Sequence, residues 1–218
     1  FASESTLNGN AGEDFIVSIG GLDVIDGRAD FDTVSFQAFG AGSRFTITNG
    51  QWVREDPHGG VQSRVQNVES VFGTQGFDTF TVAADFTSNG DRFINIRGGQ
   101  GNDQIQALGA LGDVTIRADY RDAQAGVIAD LRDEFARSAQ PNDAADIGVD
   151  TLIQVTQIRG SQFGDQLLGS DNDVFESFRG EAGNDFIDGR GGQDRIDYRN
   201  TPTGVTVDMA QQLTPDDG

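Results

Sequence analysis

Asp14, Asp23 and Asp32 stand nine residues apart, and Asp185 and Asp194 repeat that interval far downstream. Each closes on the pattern Gly-x-x-Gly-x-Asp-x-apolar-x at its sixth place. Gly9-Asn10-Ala11-Gly12-Glu13-Asp14-Phe15-Ile16-Val17 is followed without a gap by Ser18 to Asp26 and then Gly27 to Ser35. Gly180 to Asp188 likewise runs straight into Gly189 to Asp197. Short carboxylates at a fixed interval, beside glycines that leave turn carbonyls open, are hard oxygen donors suited to Ca²⁺. Softer metals have no ligands here: cysteine is absent and a single His58 excludes a multi-histidine zinc site within the chain.

Composition points the same way. The acidic residues are 28 Asp and only 7 Glu, and the net charge is -20. Such self-repulsion opposes compaction and argues against nucleic acid or an anionic membrane surface as partner. Bound divalent cations are the direct remedy. No apolar run approaches the roughly 18 residues of a membrane span, and no basic-then-apolar signal peptide opens the chain. With Phe1 first and a polar stretch from Gln211 to Gly218 last, the sequence reads as a piece of a longer protein. There is no Gly-x-Ser-x-Gly elbow, phosphate loop or metalloprotease helix motif, so no enzyme activity is expected of the chain itself.

A nine-residue unit supplies one tight turn and one short strand, and two units complete a flattened coil stacked on the coil before. The eighth position points inward, giving a core ladder of Ile16, Ile25, Val34, Phe80, Ile105, Leu167, Ile187 and Ile196. An ion between successive turns takes Asp side chains and turn carbonyls, the latter opened by Gly9, Gly27, Gly98, Gly180 and Gly189. The expected pairs are Asp14 with Asp32, Asp165 with Asp185, and Asp173 with Asp194. Two isolated units, Gly73 to Phe80 with Asp78 and Gly98 to Ile105 with Asp103, read as half-sites because their neighbours are degenerate. The Asp56-Pro57-His58 stretch reads as an ordinary exposed loop, and the aromatic residues Phe36, Phe80, Tyr120 and Tyr198 as core and coil caps.

A longer repeat of about 80 to 90 residues overlies the short one. Asp119 to Leu131 matches Asp197 to Met209, and Val65 to Asp78 matches Ile153 to Asp165. The expected fold is all-β, a parallel β-roll or β-solenoid with irregular excursions at 49–63 and 132–148. Asp133 to Gln140 before Pro141 is the one stretch expected as a short helix. Regions 1–112 and 113–218 read as two repeat regions of one continuous elongated domain, with β-roll blocks near 9–35 and 160–197.

These phrases resemble the repeats-in-toxin (RTX) family of secreted bacterial proteins, most strongly in the glycine-aspartate blocks. The resemblance implies export to a calcium-rich exterior, folding triggered there, and metal ligation by Asp14, Asp23, Asp32, Asp103, Asp165, Asp185 and Asp194. It implies a structural calcium-binding region of a secreted or cell-surface protein of adhesin, S-layer or RTX type. The alternative reading is the calcium-dependent module of an exported protease, lipase or polysaccharide-modifying enzyme. Cell-surface polysaccharide and neighbouring domains of the same chain are the partners to consider beside calcium.

Overall fold

The structure, a computed structural model, describes residues 4–199. The longer repeat's match over Asn200 to Met209 lies outside the described residues. Among these, strands dominate, with one 3-10 turn at Pro141–Asp143 and no α-helix. Two sheets face each other. One has eight strands, all parallel, in the order β2 (Phe15–Val17), β4 (Thr33–Ser35), β8 (Ser70–Phe72), β10 (Phe93–Arg97), β12 (Thr115–Asp119), β16 (Gln157–Arg159), β18 (Phe175–Arg179) and β20 (Gln193–Ile196).

The other has twelve. It opens with β1 (Glu4–Asn10), β3 (Leu22–Arg28), β7 (Val61–Gln66), β6 (Gln51–Glu55), β5 (Arg44–Ile47) and β9 (Thr79–Val82). It continues with β11 (Gln104–Ala107), β15 (Val149–Ile153), β14 (Phe135–Ser138), β13 (Val127–Asp130), β17 (Gln166–Leu168) and β19 (Phe186–Asp188).

The chain alternates between sheets, so each coil has two turns. Glu4 pairs with Leu22 and Phe15 with Thr33, both eighteen residues on, so two nine-residue units do make one coil. The excursions are more orderly than their sequence suggests. Two coils cross the larger sheet three times, through β5–β6–β7 and β13–β14–β15, with antiparallel pairing inside each set. These crossings account for the four strands by which one sheet exceeds the other.

The expected helix at 133–140 is replaced by β14. Ala136 and Ser138 are buried and Arg137 is exposed, the period of a strand, and β14 is paired on both sides. Sheet pairing overrides a composition rich in helix formers.

The core lies between the sheets. Ile25, Val34, Phe80, Ile105 and Leu167 are fully buried, while Ile16 and Ile187 pack partly against them. Ile196, on the end strand β20, remains 37% exposed. Phe45 stacks on Phe80 at 4.5 Å between ring centroids, and Phe36 and Trp52 close around them. Phe36, Phe80 and Tyr120 are core residues as expected, but Tyr198 is not, at 40% exposure.

Candidate metal centre

Strand periodicity decides where the carboxylates go. A carboxylate two places before an inward apolar residue shares its face, so an Asp-x-apolar tripeptide whose apolar residue enters the core turns its carboxylate toward the inside of the coil. Asp23 and Ile25 show this directly, both buried on one face of β3. The turns from the larger sheet to the smaller form one edge of the molecule, and the return turns form the other.

On both edges the carboxylates link coil to coil, each accepting a backbone N–H from the matching residue one coil earlier. On the first edge Asp14 N donates to Asp32 Oδ1 at 2.9 Å, and Asp32 N donates to Glu69 Oε2 at 2.9 Å. On the return edge Ser43 N donates to Asp78 Oδ1 at 2.6 Å, Asp78 N to Asp103 Oδ1 at 2.8 Å, and Asp103 N to Asp150 Oδ1 at 2.8 Å. Beyond β14 a further column begins, in which Val127 N reaches Asp165 at 2.7 Å and Asp165 N reaches Asp185 at 3.0 Å.

The second carboxylate oxygen explains the leading glycine. A Cβ on Gly9 would lie 2.8 Å from Asp14 Oδ2 and 2.7 Å from the carbonyl oxygen of Gly27 in the next coil. Gly27, Gly73, Gly98, Gly160, Gly180 and Gly189 each meet the Oδ2 of their own aspartate in the same way. At Gly9, Gly27, Gly73 and Gly160 a carbonyl oxygen of the next coil converges with the carboxylate where a side chain would otherwise stand.

These turns fall into two kinds. In the first, a hydroxyl residue follows the glycine and caps the carboxylate. Thr74 donates to Asp78 through its N–H at 2.5 Å and its hydroxyl at 2.8 Å, and Ser161 donates both groups to Asp165 at 2.7 Å. Ser170 does the same for Glu176, at 2.9 and 2.6 Å. Ser18 caps Asp23 at 2.6 Å. Tyr120 and the pair Ser88 and Asn89 cap the column ends Asp150 and Glu69.

In the second kind nothing caps. Asp14, Asp32 and Asp103 each bury an Oδ2 that receives no hydrogen bond, and among the described residues no donor meets Asp194. Here the residue after the glycine has a positive φ: Asn10 at 81°, Arg28 at 76°, Gly99 at 107°, Glu181 at 70° and Arg190 at 61°. Thr74, Ser161 and Ser170 have none. A left-handed residue here costs on the order of 1 kcal/mol or more for a non-glycine, so some interaction compensates it at four of these five turns. A buried unpaired carboxylate oxygen adds a penalty of the same kind. Oxygen-rich, acid-paired, uncapped turns fit Ca²⁺, which takes carboxylate and carbonyl ligands together. Among the described residues no three acidic or histidine side chains gather at one point, so backbone carbonyls must complete any coordination shell.

Without a cation the columns are strained electrostatically. Burial raises Asp78 to about 7, and raises Asp32, Asp165 and Asp194 to about 6. Burial and the mutual repulsion of Asp103 with Asp150 and Asp78 push Asp103 far up, and burial pushes Asp150 up as well. These groups hold protons more tightly folded than unfolded, so the metal-free fold loses stability as pH rises from about 4 through 7 and beyond. The chelated chain should therefore keep more β signal in circular dichroism at pH 5 than at pH 8. With calcium bound the order should reverse, because protons then compete for the ligands.

The expected pairs Asp14 with Asp32 and Asp165 with Asp185 are adjacent in their columns. Asp173 is exposed; Glu176 on β18 stands opposite Asp194 on β20 instead. Asp103, read as a half-site, occupies the middle of the longest column. Glu69, Asp150 and Glu176 escaped the nonapeptide pattern because their phrases lack its leading glycine. Their signal is the carboxylate two places before a buried apolar residue, Val71, Leu152 and Phe178 respectively. Asp56 folds its own loop, accepting the N–H groups of His58 and Gly60 and the amide of Gln62.

No curated protein matches the chain. A family model, the RTX calcium-binding nonapeptide repeat, matches it in four copies over residues 5–34, 95–110 and 169–200. The stacked parallel coils, the glycine-cradled carboxylates and these four copies give one answer: the chain is a β-roll carrying repeats of the RTX calcium-binding family, and through them it binds several Ca²⁺ ions.

Proposed function

We propose that this chain is a calcium-folded structural region of a secreted or cell-surface protein, with ions at the turns of Asp14, Asp32, Asp103, Asp185 and Asp194. The turns of Asp23, Asp78, Asp165 and Glu176 hold hydroxyl hydrogen bonds in place of an ion. The observation that carries this assignment is the coincidence of a left-handed residue after the glycine with a carboxylate that no hydroxyl caps: the Oδ2 of Asp14, Asp32 and Asp103 is buried and unbonded, Asp185 accepts only the Asp165 N–H, and no donor meets Asp194 among the described residues. The family matches include all five of these aspartates and leave out Asp78 and Asp165, while they also span the hydroxyl-capped Asp23 and Glu176.

In this reading the ion and the hydroxyl are interchangeable keystones. Both deliver positive charge or positive dipole to a carboxylate that strand periodicity forces inside. Only the ion makes folding conditional on the surroundings, because its contribution depends on free calcium. Ions also offset a net charge of -20 that otherwise favours the expanded chain.

Counting bound calcium by equilibrium dialysis tests the assignment. Asp103→Asn should bind fewer ions than the parent chain, and Asp165→Asn should bind the same number while losing some thermal stability. Equal losses of calcium in the two variants would sink the distinction between the turns. Unchanged binding in both would sink the assignment of Asp103.

A further inference from the structure

The outer face of the eight-stranded sheet carries positive charge that the rest of this acidic molecule does not explain. Register places Asn95, Arg117, Gln157, Ser177 and Arg195 in one row across β10, β12, β16, β18 and β20. The next row holds Arg97, Asp119, Arg159, Arg179 and Asp197, and there each arginine has an acidic partner. The first row contains no acid. Arg117 makes no ion pair and no hydrogen bond among the described residues, and its Nε is buried without an acceptor. Arg195 bonds only Ser177 Oγ, at 3.1 Å.

In a chain of net charge -20 an unpaired, largely buried arginine is anomalous. Arg54 is also buried outside an ion pair, but it lies in the field of Asp78, Asp23 and Asp56. Arg117 has one acidic neighbour in the field, Asp119, and that group is already held by Arg97 and Arg121. Burial, followed by repulsion from Arg159, Arg179 and Arg121, lowers Arg117 to about 10.

Arg117, Gln157, Ser177, Arg179, Arg195 and Arg199 surround a hollow of about 50 Å³. Its one carboxylate, Asp197, is bound by both Arg179 and Arg199, and these partners hold it well below the usual carboxylate range. Phe93 and Phe175 support the two unpaired guanidiniums, at 4.7 and 5.5 Å from the ring centroids, so the donors are held in place before any ligand arrives.

We propose that this hollow binds one small oxyanion, a carboxylate or a sulfate ester, between Arg117 and Arg195, with Gln157 and Ser177 as neutral donors. A guanidinium offers paired N–H groups matched to such oxygens. The volume admits a single charged group and leaves the remainder of its carrier outside. The site lies on the outer face of the sheet and the calcium turns on the edges of the roll, although Arg195 directly follows Asp194 on β20.

The full calcium-loaded chain, titrated with methyl sulfate, acetate and uncharged glucose, decides the matter through the arginine Nε–H signals in ¹H–¹⁵N spectra. Saturable shifts of the Arg117 and Arg195 signals are expected with methyl sulfate or acetate and not with glucose. The stronger of the two anions identifies the oxyanion preferred. Arg117→Gln should weaken that response about tenfold or more, as should the milder Arg195→Gln, while Arg132→Gln should leave it unchanged. Equal shifts at exposed Arg132, or an undiminished response in both Arg117→Gln and Arg195→Gln, would overturn the proposal. So would the absence of any saturable shift.

Discussion

Chelation of calcium is expected to remove most of the β signal from the far-ultraviolet circular dichroism of this chain, and to broaden its amide spectrum toward that of an unfolded polypeptide. The reasoning is cumulative. A site held at 100 times its dissociation constant contributes about 2.7 kcal/mol, and whole domains are stable by roughly 5–15 kcal/mol. A few ions therefore amount to the entire margin. The strands offer little in reserve, several being only three residues long. Re-adding calcium should restore the spectrum, and the midpoint should move with free calcium. A spectrum indifferent to millimolar calcium against excess chelator would remove calcium-dependent folding from the account.

Gly98→Ala is expected to produce the largest single-residue effect, about 2–4 kcal/mol from overpacking together with a lost ion. The added methyl would collide with Asp103 Oδ2 and lie 2.9 Å from its Cγ. The backbone at Gly98 is not left-handed, so the substitution probes the crowding alone. Gly40→Ala is the natural comparison, since nothing lies within 4 Å of its added carbon. Thermal melts at fixed calcium should separate the two clearly. If Gly98→Ala melts with Gly40→Ala, the crowding of the carboxylate against the leading glycine has no energetic weight.

Much of this architecture is legible in the sequence, and the reasons are local. A nine-residue interval fixes the coil, because eighteen residues bring Asp14 beneath Asp32 whatever lies between. The same interval names the core, since Ile25 and Val34 follow their aspartates by two places. Strand order is not local. Nothing in residues 127–153 announces that the chain will run forward to β13 and return through β14 to β15, because that order is set by pairing with strands distant in sequence, β17 for β13 and β11 for β15. The misread helix at 133–140 has this origin.

The centre was legible in part for a related reason. Glycine spacing finds the turns that close tightly, and so finds Asp14, Asp32, Asp103, Asp185 and Asp194. It cannot find a carboxylate delivered by a looser turn, and Glu69, Asp150 and Glu176 arrive that way. Nor does spacing separate an uncapped turn from one capped by a hydroxyl. That distinction is written one residue after the glycine, where Thr74, Ser161 and Ser170 stand.

The surplus of four strands in one sheet has a mechanical meaning. Strands lie about 4.8 Å apart, so the two faces of the roll cannot advance in step, and at β5–β6 and β13–β14 one face gains on the other. On the return edge the carboxylate columns break where this happens, with Asp150 ending one and Val127 beginning the next, while on the first edge Asp32 and Glu69 stay linked across the first insertion. On the proposed assignment, an ion lost near Asp185 should loosen its own stretch of coils, with no chain of carboxylates on that edge through which to reach Asp103. The inserted hairpins are expected to act as firebreaks on that edge, dividing the repeats into lengths that respond separately to calcium depletion.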